Sequence, residues 1–202
     1  MDKQNHIQWA ILCTGWGRNA KDIIKALHKD NNSLASRINL LIYGQEPCGA
    51  AEEAKKHEIE TLLVRRSDFP TMEAYQNHIL LLLKKKSIDR VFLLNYKYRI
   101  REALLQGFPN RIYNVHPSLF PSFLGTKTAI QDALDYGVKI TGITTHIIDH
   151  ELDKGTILQQ QAIKIKAGDT FETLYPKFAK KGKKIILRTM RDAEQEVRKP
   201  KK

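Results

Sequence analysis

The sequence predicts an α/β fold, with a Rossmann-like, mostly parallel sheet, helices on both faces and an antiparallel hairpin at the C-terminal edge. Short apolar runs alternate with helix-period stretches over the first two thirds of the chain, as expected where crossover helices cover both faces of a parallel sheet. Two adjacent strand-like runs then follow, joined only by a polar link, which marks a hairpin. At 202 residues and 42% hydrophobic, the chain has enough apolar residues for the core of about one domain.

Trp9 to Cys13 is an apolar run ending at Thr14-Gly15-Trp16-Gly17, a buried strand followed by a tight loop. Ala20, Ile23, Ile24 and Leu27 then recur at helical spacing. Ile38–Tyr43 predicts the second strand, residues 49–57 a short helix and Thr61–Val64 the third strand. Residues 72–86 predict a helix with Tyr75, Ile79, Leu82 and Leu83 on one face. Strands at 91–94 and 112–115 follow, then a helix over 127–136 stopped by Gly137. Residues 140–148 and 156–166 form the predicted hairpin. The span 170–197 is helical, with Thr170 as its N-cap. We expect a domain over residues 1–190 and a basic tail over 191–202, with its last four residues frayed.

Composition and charge exclude several classes. The net charge is +12, which by itself points to a polyanionic partner. Residues 177–202 hold 11 Lys/Arg against 3 Asp/Glu, whereas the first 176 hold 23 against 19. The body is therefore ordinary in charge, and the tail reads as a solvated helix face rather than a nucleic-acid contact. No apolar run approaches the ~18 residues of a membrane span, and no signal core precedes the first strand. Cys13 and Cys48 form no disulfide framework and no cysteine-based metal site. The expectation is a cytoplasmic protein without metal, a monomer or homodimer, with no membrane partner.

Ligands of open α/β sheets bind at the carboxyl ends of strands. Four segments follow strands here: 14–19, 95–99, 116–125 and 149–155. In the first, Gly15-Trp16-Gly17-Arg18-Asn19-Ala20 combines glycines, a helix start and a cation, which suits a phosphate. It also fits the loose dinucleotide turn G-x-G-x-x-A, with Glu46 as an approximate acidic partner, or a ligand-free turn. In Asn114-Val115-His116-Pro117-Ser118-Leu119-Phe120-Pro121, Asn114 and His116 project to one side of an extended segment. An amide and an imidazole aimed at one point suit a developing oxyanion; a capped strand end with a satisfied histidine is the plainer reading. In His146–Asp153 (HIIDHELD) a carboxylate can orient His116. His146, Asp149, His150 and Asp153 can also be read as metal ligands, but no spacing matches a known helical metal motif, and a charged hairpin link is the alternative there.

These residues carry a resemblance to the folate-dependent formyltransferases, over about Ile7 to Ile165. The most specific stretches are 114–121, Thr141-Gly142-Ile143-Thr144-Thr145-His146 and Glu151-Leu152-Asp153-Lys154-Gly155-Thr156-Ile157. The resemblance implies the formyltransferase fold and transfer of a formyl group from 10-formyltetrahydrofolate, a co-substrate, to a primary amine by direct attack. It places Asn114, His116 and Asp153 on the catalytic positions, the first two as oxyanion donors and the third assisting proton transfer. It assigns Tyr98, Arg99, Ile100 and Arg101 with Asp149, His150, Glu151 and Leu152 to the pterin pocket. Thr14, Gly15, Trp16, Gly17, Arg18 and Asn19 fall on the acceptor-phosphate loop, and Pro117 and Ser118 near the amine. The chain is most similar to the purine-biosynthesis branch, whose acceptor is glycinamide ribonucleotide, a small phosphorylated amine.

Departures from that branch are local. Tyr96-Lys97-Tyr98-Arg99-Ile100 replaces Gly-Phe-Met-Arg-Ile, and Leu152-Asp153-Lys154-Gly155-Thr156 replaces Leu-Asp-Gly-Gly-Pro. One extra residue lies between Gly125 and Leu134. Gly182-Lys183 falls where the branch carries a Glu-His pair whose Glu touches the ribose. The C-terminal helix is more similar to formyltransferase domains acting on nucleotide-linked amino sugars or methionyl-tRNA. A nucleotide-linked amino sugar is thus the alternative acceptor, and a nucleotide- or RNA-binding module with an inactive site the alternative class. A binding role needs none of Asn114, His116 and Asp153.

Overall fold

A computed structural model describes residues 6–28 and 37–198. In chain order the elements are β1 (Gln8–Cys13), α1 (Arg18–Leu27), β2 (Arg37–Tyr43), α2 (Gly49–Lys56), β3 (Glu60–Leu63), α3 (Met72–Lys85) and β4 (Arg90–Leu93). They continue with α4 (Glu102–Gly107), β5 (Ile112–His116), α5 (Ala129–Asp135), β6 (Ile140–Ile147), β7 (Ile157–Lys164) and α6 (Phe171–Arg198). The seven strands form one sheet in the order β3-β2-β1-β4-β5-β6-β7. The first five strands pair in parallel, while β6 runs antiparallel to both β5 and β7.

Alternation along each strand feeds two core layers. Trp9, Ile11 and Cys13 of β1 face one way, with Ile23 and Ile24 of α1, the alanines of α2, and Phe178, Ile186 and Met190 of α6. Ala10 and Leu12 face the other way, with Tyr75, Ile79 and Leu83 of α3, Leu104 of α4, and Phe108. Both faces of the central strands are thus covered, which explains why they read as unbroken apolar runs. Among the described residues, no helix is long and apolar enough to cross a membrane.

Several local differences from the sequence pattern have physical causes. The six-residue α4 is too short to show a helical period, and the 3-10 turn Arg66–Asp68 shows none either. The helix expected from Lys127 starts at Ala129, because the Thr126 and Thr128 hydroxyls bond Asp132 at 2.5 and 2.9 Å and hold a turn there. At the start of α6 the Thr170 hydroxyl donates to Glu172, and Thr173 Oγ1 accepts the Thr170 N–H at 2.9 Å, so the capping is reversed. α6 passes unbroken through position 190, where the sequence reading ended the domain, and Ala193 lies in the core. The four residues expected to fray, 199–202, lie outside the described residues.

The strand order reverses at β1, which has β2 on one side and β4 on the other. Such a switch point opens a crevice at the strand ends. Its floor is tied by Thr14, whose N–H and hydroxyl both bond the Asn95 carbonyl at 3.1 and 3.0 Å. Asn95 adopts φ +64°, a conformation asparagine tolerates better than most side chains.

Candidate active site

β5 brings Asn114 and His116 to one face of the sheet near the strand's carboxyl end, and the antiparallel register sets His146 of β6 opposite Asn114. Asn114 Nδ2 lies 3.3 Å from His146 Nε2. His146 is fully buried, and its Nδ1 is 3.1 Å from the Ile147 carbonyl. Burial pushes the His146 pKa down, outweighing the nearby Asp153 carboxylate. The ring is therefore neutral, with Nδ1–H on the Ile147 carbonyl and the Nε2 lone pair accepting from Asn114; the network assigns this tautomer. Asn114 keeps its second N–H for a ligand. The 3.7 Å approach of Asp153 to His146 Nε2 is consequently not an ion pair.

Asp153 arrives on the link between β6 and β7, with φ +55° and its side chain buried. A non-glycine residue held in this region costs roughly 1 kcal/mol or more, and such strain clusters at functional sites. The link closes at Gly155, where a Cβ would stand 1.8 Å from the Ile147 carbonyl oxygen, so any side chain would push the link away. Asp153 Oδ2 accepts the Gly125 N–H at 2.9 Å and lies 3.5 Å from His116 Nδ1. His116 Nε2 is 3.0 Å from the Phe123 carbonyl. Both ring nitrogens of His116 thus face protein oxygens, whereas the sequence reading had the ring aimed at an oxyanion beside Asn114.

Two cavities flank these side chains. The first, about 320 Å³, has apolar walls from Leu93, Ile100, Ile148 and Leu152 and carries Asp149 and Asp153 on its polar side. The second, about 450 Å³, is lined by Arg18, Asn19, Asn95, His116, Pro117, Tyr175 and Gly182 among others. Tyr96, Lys97, Asn114, Thr126 and Lys127 line both. No Asp or Glu is among the residues lining the second cavity, although Arg18, Lys97 and Lys127 are.

The structure distributes the expected site residues unevenly. Tyr98, Arg99, Ile100, Asp149, Glu151 and Leu152 line the apolar cavity. Arg101 and His150 line an adjoining groove of about 660 Å³ instead, where His150 pairs with Glu102 at 3.1 Å. Arg99 bridges the two spaces, with Nη2 donating to the His150 carbonyl at 2.8 Å. Of the N-terminal loop, only Arg18 and Asn19 line the second cavity. Thr14 acts beneath them, accepting the Lys97 N–H at 3.1 Å. Trp16 is half-exposed and lies over Gly49, where a Cβ would come within 2.5 Å of the indole. Gly17 takes φ +73° at the N-cap of α1, where a Cβ would stand 2.7 Å from that of Ala50; Gly15 has open space around it. Pro117 lines the second cavity, but Ser118 is fully buried and donates to the Ser122 carbonyl at 2.7 Å. Glu46, the acid a dinucleotide would need, is taken up by Arg65 at 3.3 Å.

No motif in the sequence gives Asn95, Lys97, Lys127 or Tyr175 a site role, and His146 enters the candidate residues only as a metal ligand. Asn95 and Lys97 lie in a segment that follows a strand, which was a usable signal. Tyr175 had none, because only the return of α6 across the sheet brings it near Arg18.

Comparisons with known proteins identify the family and the fold. The sequence profile of the family described as formyl transferase matches residues 7–190. The chain is 30% identical over 167 residues to phosphoribosylglycinamide formyltransferase of Bacillus subtilis, covering 83% of this chain and 84% of that protein. It is 31% identical to the human trifunctional purine biosynthetic protein adenosine-3 over 82% of this chain, which spans only 16% of that much longer protein. Among solved structures, glycinamide ribonucleotide transformylase 1 of Symbiobacterium toebii superposes with a TM-score of 0.89 at 28% identity, over 96% of this chain and 90% of that one. Phosphoribosylglycinamide formyltransferase of Bacillus halodurans gives 0.85 at 33%, over 96% and 97%. The profile match over residues 7–190, the sequence relatives and the shared fold show that the chain belongs to the formyl transferase family.

Proposed function

We propose that the protein transfers a formyl group from 10-formyltetrahydrofolate to the primary amine of glycinamide ribonucleotide. The observation that carries this reading is the position of Asn114, at the junction of an apolar cavity and a cationic one. A direct transfer needs donor and acceptor bound side by side with one polar group at their meeting point. The apolar walls and the Asp149–Asp153 edge of the first cavity fit a flat heterocycle with hydrogen-bonding margins. Arg18, Asn19, Lys97 and Lys127 fit a phosphorylated amine in the second.

The free N–H of Asn114 would hold the formyl oxygen as it gains negative charge, a contact that strengthens only on the way to the transition state. His116 lies within reach of the same point. An oxyanion is a stronger acceptor than a neutral carbonyl, so the Nε2–H held by Phe123 would transfer to it. Asp153, anchored by Gly125, would steady His116 and pass the proton lost by the amine toward the departing donor nitrogen, through water. The C–N bond to the amine would form first, with the carbonyl π electrons moving onto the oxygen; collapse of that oxyanion would break the bond to the donor nitrogen, which leaves with the proton.

The test is to mix the protein with both substrates and follow tetrahydrofolate release. Asp153→Asn keeps an oxygen for the Gly125 N–H and tolerates the positive φ, so it should fold; its turnover should fall by roughly 10²–10⁴. No turnover of glycinamide ribonucleotide by the wild type would overturn the acceptor. A nucleotide-linked amino sugar is a second reading, favoured by one observation. Gly182 lines the acceptor cavity, and no carboxylate lines it to meet a ribose. Turnover of that substrate alone would select it.

A further inference from the structure

Arg18 is held from three directions. Its Nε donates to the Tyr175 hydroxyl at 2.8 Å, one Nη to Asp22 at 3.1 Å and the other to Asn19 Oδ1 at 2.6 Å. The guanidinium carbon also lies 4.9 Å from the centre of the Tyr175 ring. A guanidinium has five N–H groups, so these three bonds leave one on each terminal nitrogen. Asp22 and Asn19 sit on the same helix as Arg18 and can only set its rotamer. Tyr175 reaches in from α6, 157 residues away in the chain, stacked on Phe171 at 5.4 Å. Arg18 and Tyr175 both line the acceptor cavity. Asp22 offsets part of the Arg18 charge, whereas the neutral hydroxyl fixes direction without cancelling any.

We propose that Tyr175 is a positioning residue for the acceptor: it holds Arg18 so that the two remaining N–H groups meet the acceptor's phosphate as a pair. A planar fork gains most from a phosphate when it is already oriented, because little side-chain freedom is then lost on binding. The proposal rests on the acceptor reading above and adds to it the means by which α6 enforces a phosphorylated substrate.

The experiment compares Tyr175→Phe, Arg18→Gln and the double variant, with the phosphorylated acceptor and with its dephosphorylated form. Tyr175→Phe keeps the ring stack and removes only the hydroxyl. The KM for the phosphorylated acceptor should rise about fivefold, the equivalent of one net hydrogen bond, with kcat and the folate KM unchanged. That rise should vanish in the Arg18→Gln background and with the dephosphorylated acceptor. An effect of Arg18→Gln on KM without one of Tyr175→Phe would overturn the positioning role and leave the acceptor reading standing. A lower melting temperature or kcat in Tyr175→Phe at constant KM would show a structural clip between α1 and α6, and also overturn it. Efficient formylation with KM indifferent to both substitutions would remove Arg18 from the phosphate site and the proposal with it. Absence of any turnover in the wild type would refute the acceptor reading itself.

Discussion

Asp153 combines a buried carboxylate, a left-handed backbone and a place on a link between strands. Each feature opposes stability, and together they set the carboxylate 3.5 Å from His116. His146 acts indirectly. Kept neutral by burial, it turns the Asn114 amide so that one N–H faces the cavity. Its lowered pKa makes a prediction with a definite sign. Above the ordinary imidazole value the ring is neutral in both folded and unfolded chains and adds no pH dependence. As pH falls through that value, the unfolded chain takes up a proton that the folded one resists, so stability is lost. The unfolding free energy of the wild type should therefore approach that of His146→Gln on acidification, by at most about 1.4 kcal/mol per pH unit. Urea titrations of both proteins between about pH 7.5 and 5.5 measure it, and a gap that widens in acid would contradict the assigned tautomer. Asn114 and His116 were legible as a pair two residues apart on a strand. The role of His146 was not, since it depends on antiparallel register.

At the scale of elements, α6 runs over the span the sequence predicts, but its last turns pack inward where its charge suggested a solvated face. Its charge pattern reads as a domain end followed by a basic tail. In the structure Met190 and Ala193 are buried, Gln159 of β7 donates to Asp192 at 2.5 Å, and Thr145 of β6 contacts Thr189 at 2.6 Å. The helix therefore braces the antiparallel strands that carry His146 and lead to Asp153. Deleting residues 191–202 should cost about 2 kcal/mol and lower the melting temperature by roughly 4–8 °C for a chain of this size. A melting curve unchanged by the truncation would support a domain boundary at 190. The central strands were legible as short unbroken apolar runs, because both of their faces are buried, and the longer helices by apolar residues recurring at three and four. α4 was not, since six residues hold under two turns and bury only Leu104.

Over the whole molecule, the +12 charge matters less than where its members stand. Arg18 lines the second cavity, and Lys97 and Lys127 line it where it meets the first; no Asp or Glu lines the second, so the three cations focus their field on an incoming phosphate. Raising salt from about 0.05 to about 0.5 M shortens the screening length severalfold. The KM for the phosphorylated acceptor should then rise severalfold at nearly constant kcat, and steady-state kinetics across that range test it. A KM independent of salt would place the phosphate elsewhere. The sequence by itself determined the α/β class, the hairpin edge, the loops after strands as the place for chemistry, and the pairing of Asn114 with His116. All of these follow from local periodicity and residue type. Only the tertiary structure decided that Asp153 meets His116, that two cavities join at Asn114, and that α6 returns to set Tyr175 on Arg18. Those contacts join residues 37 to 157 positions apart, and their geometry is set by strand order, register and packing, which no local pattern encodes.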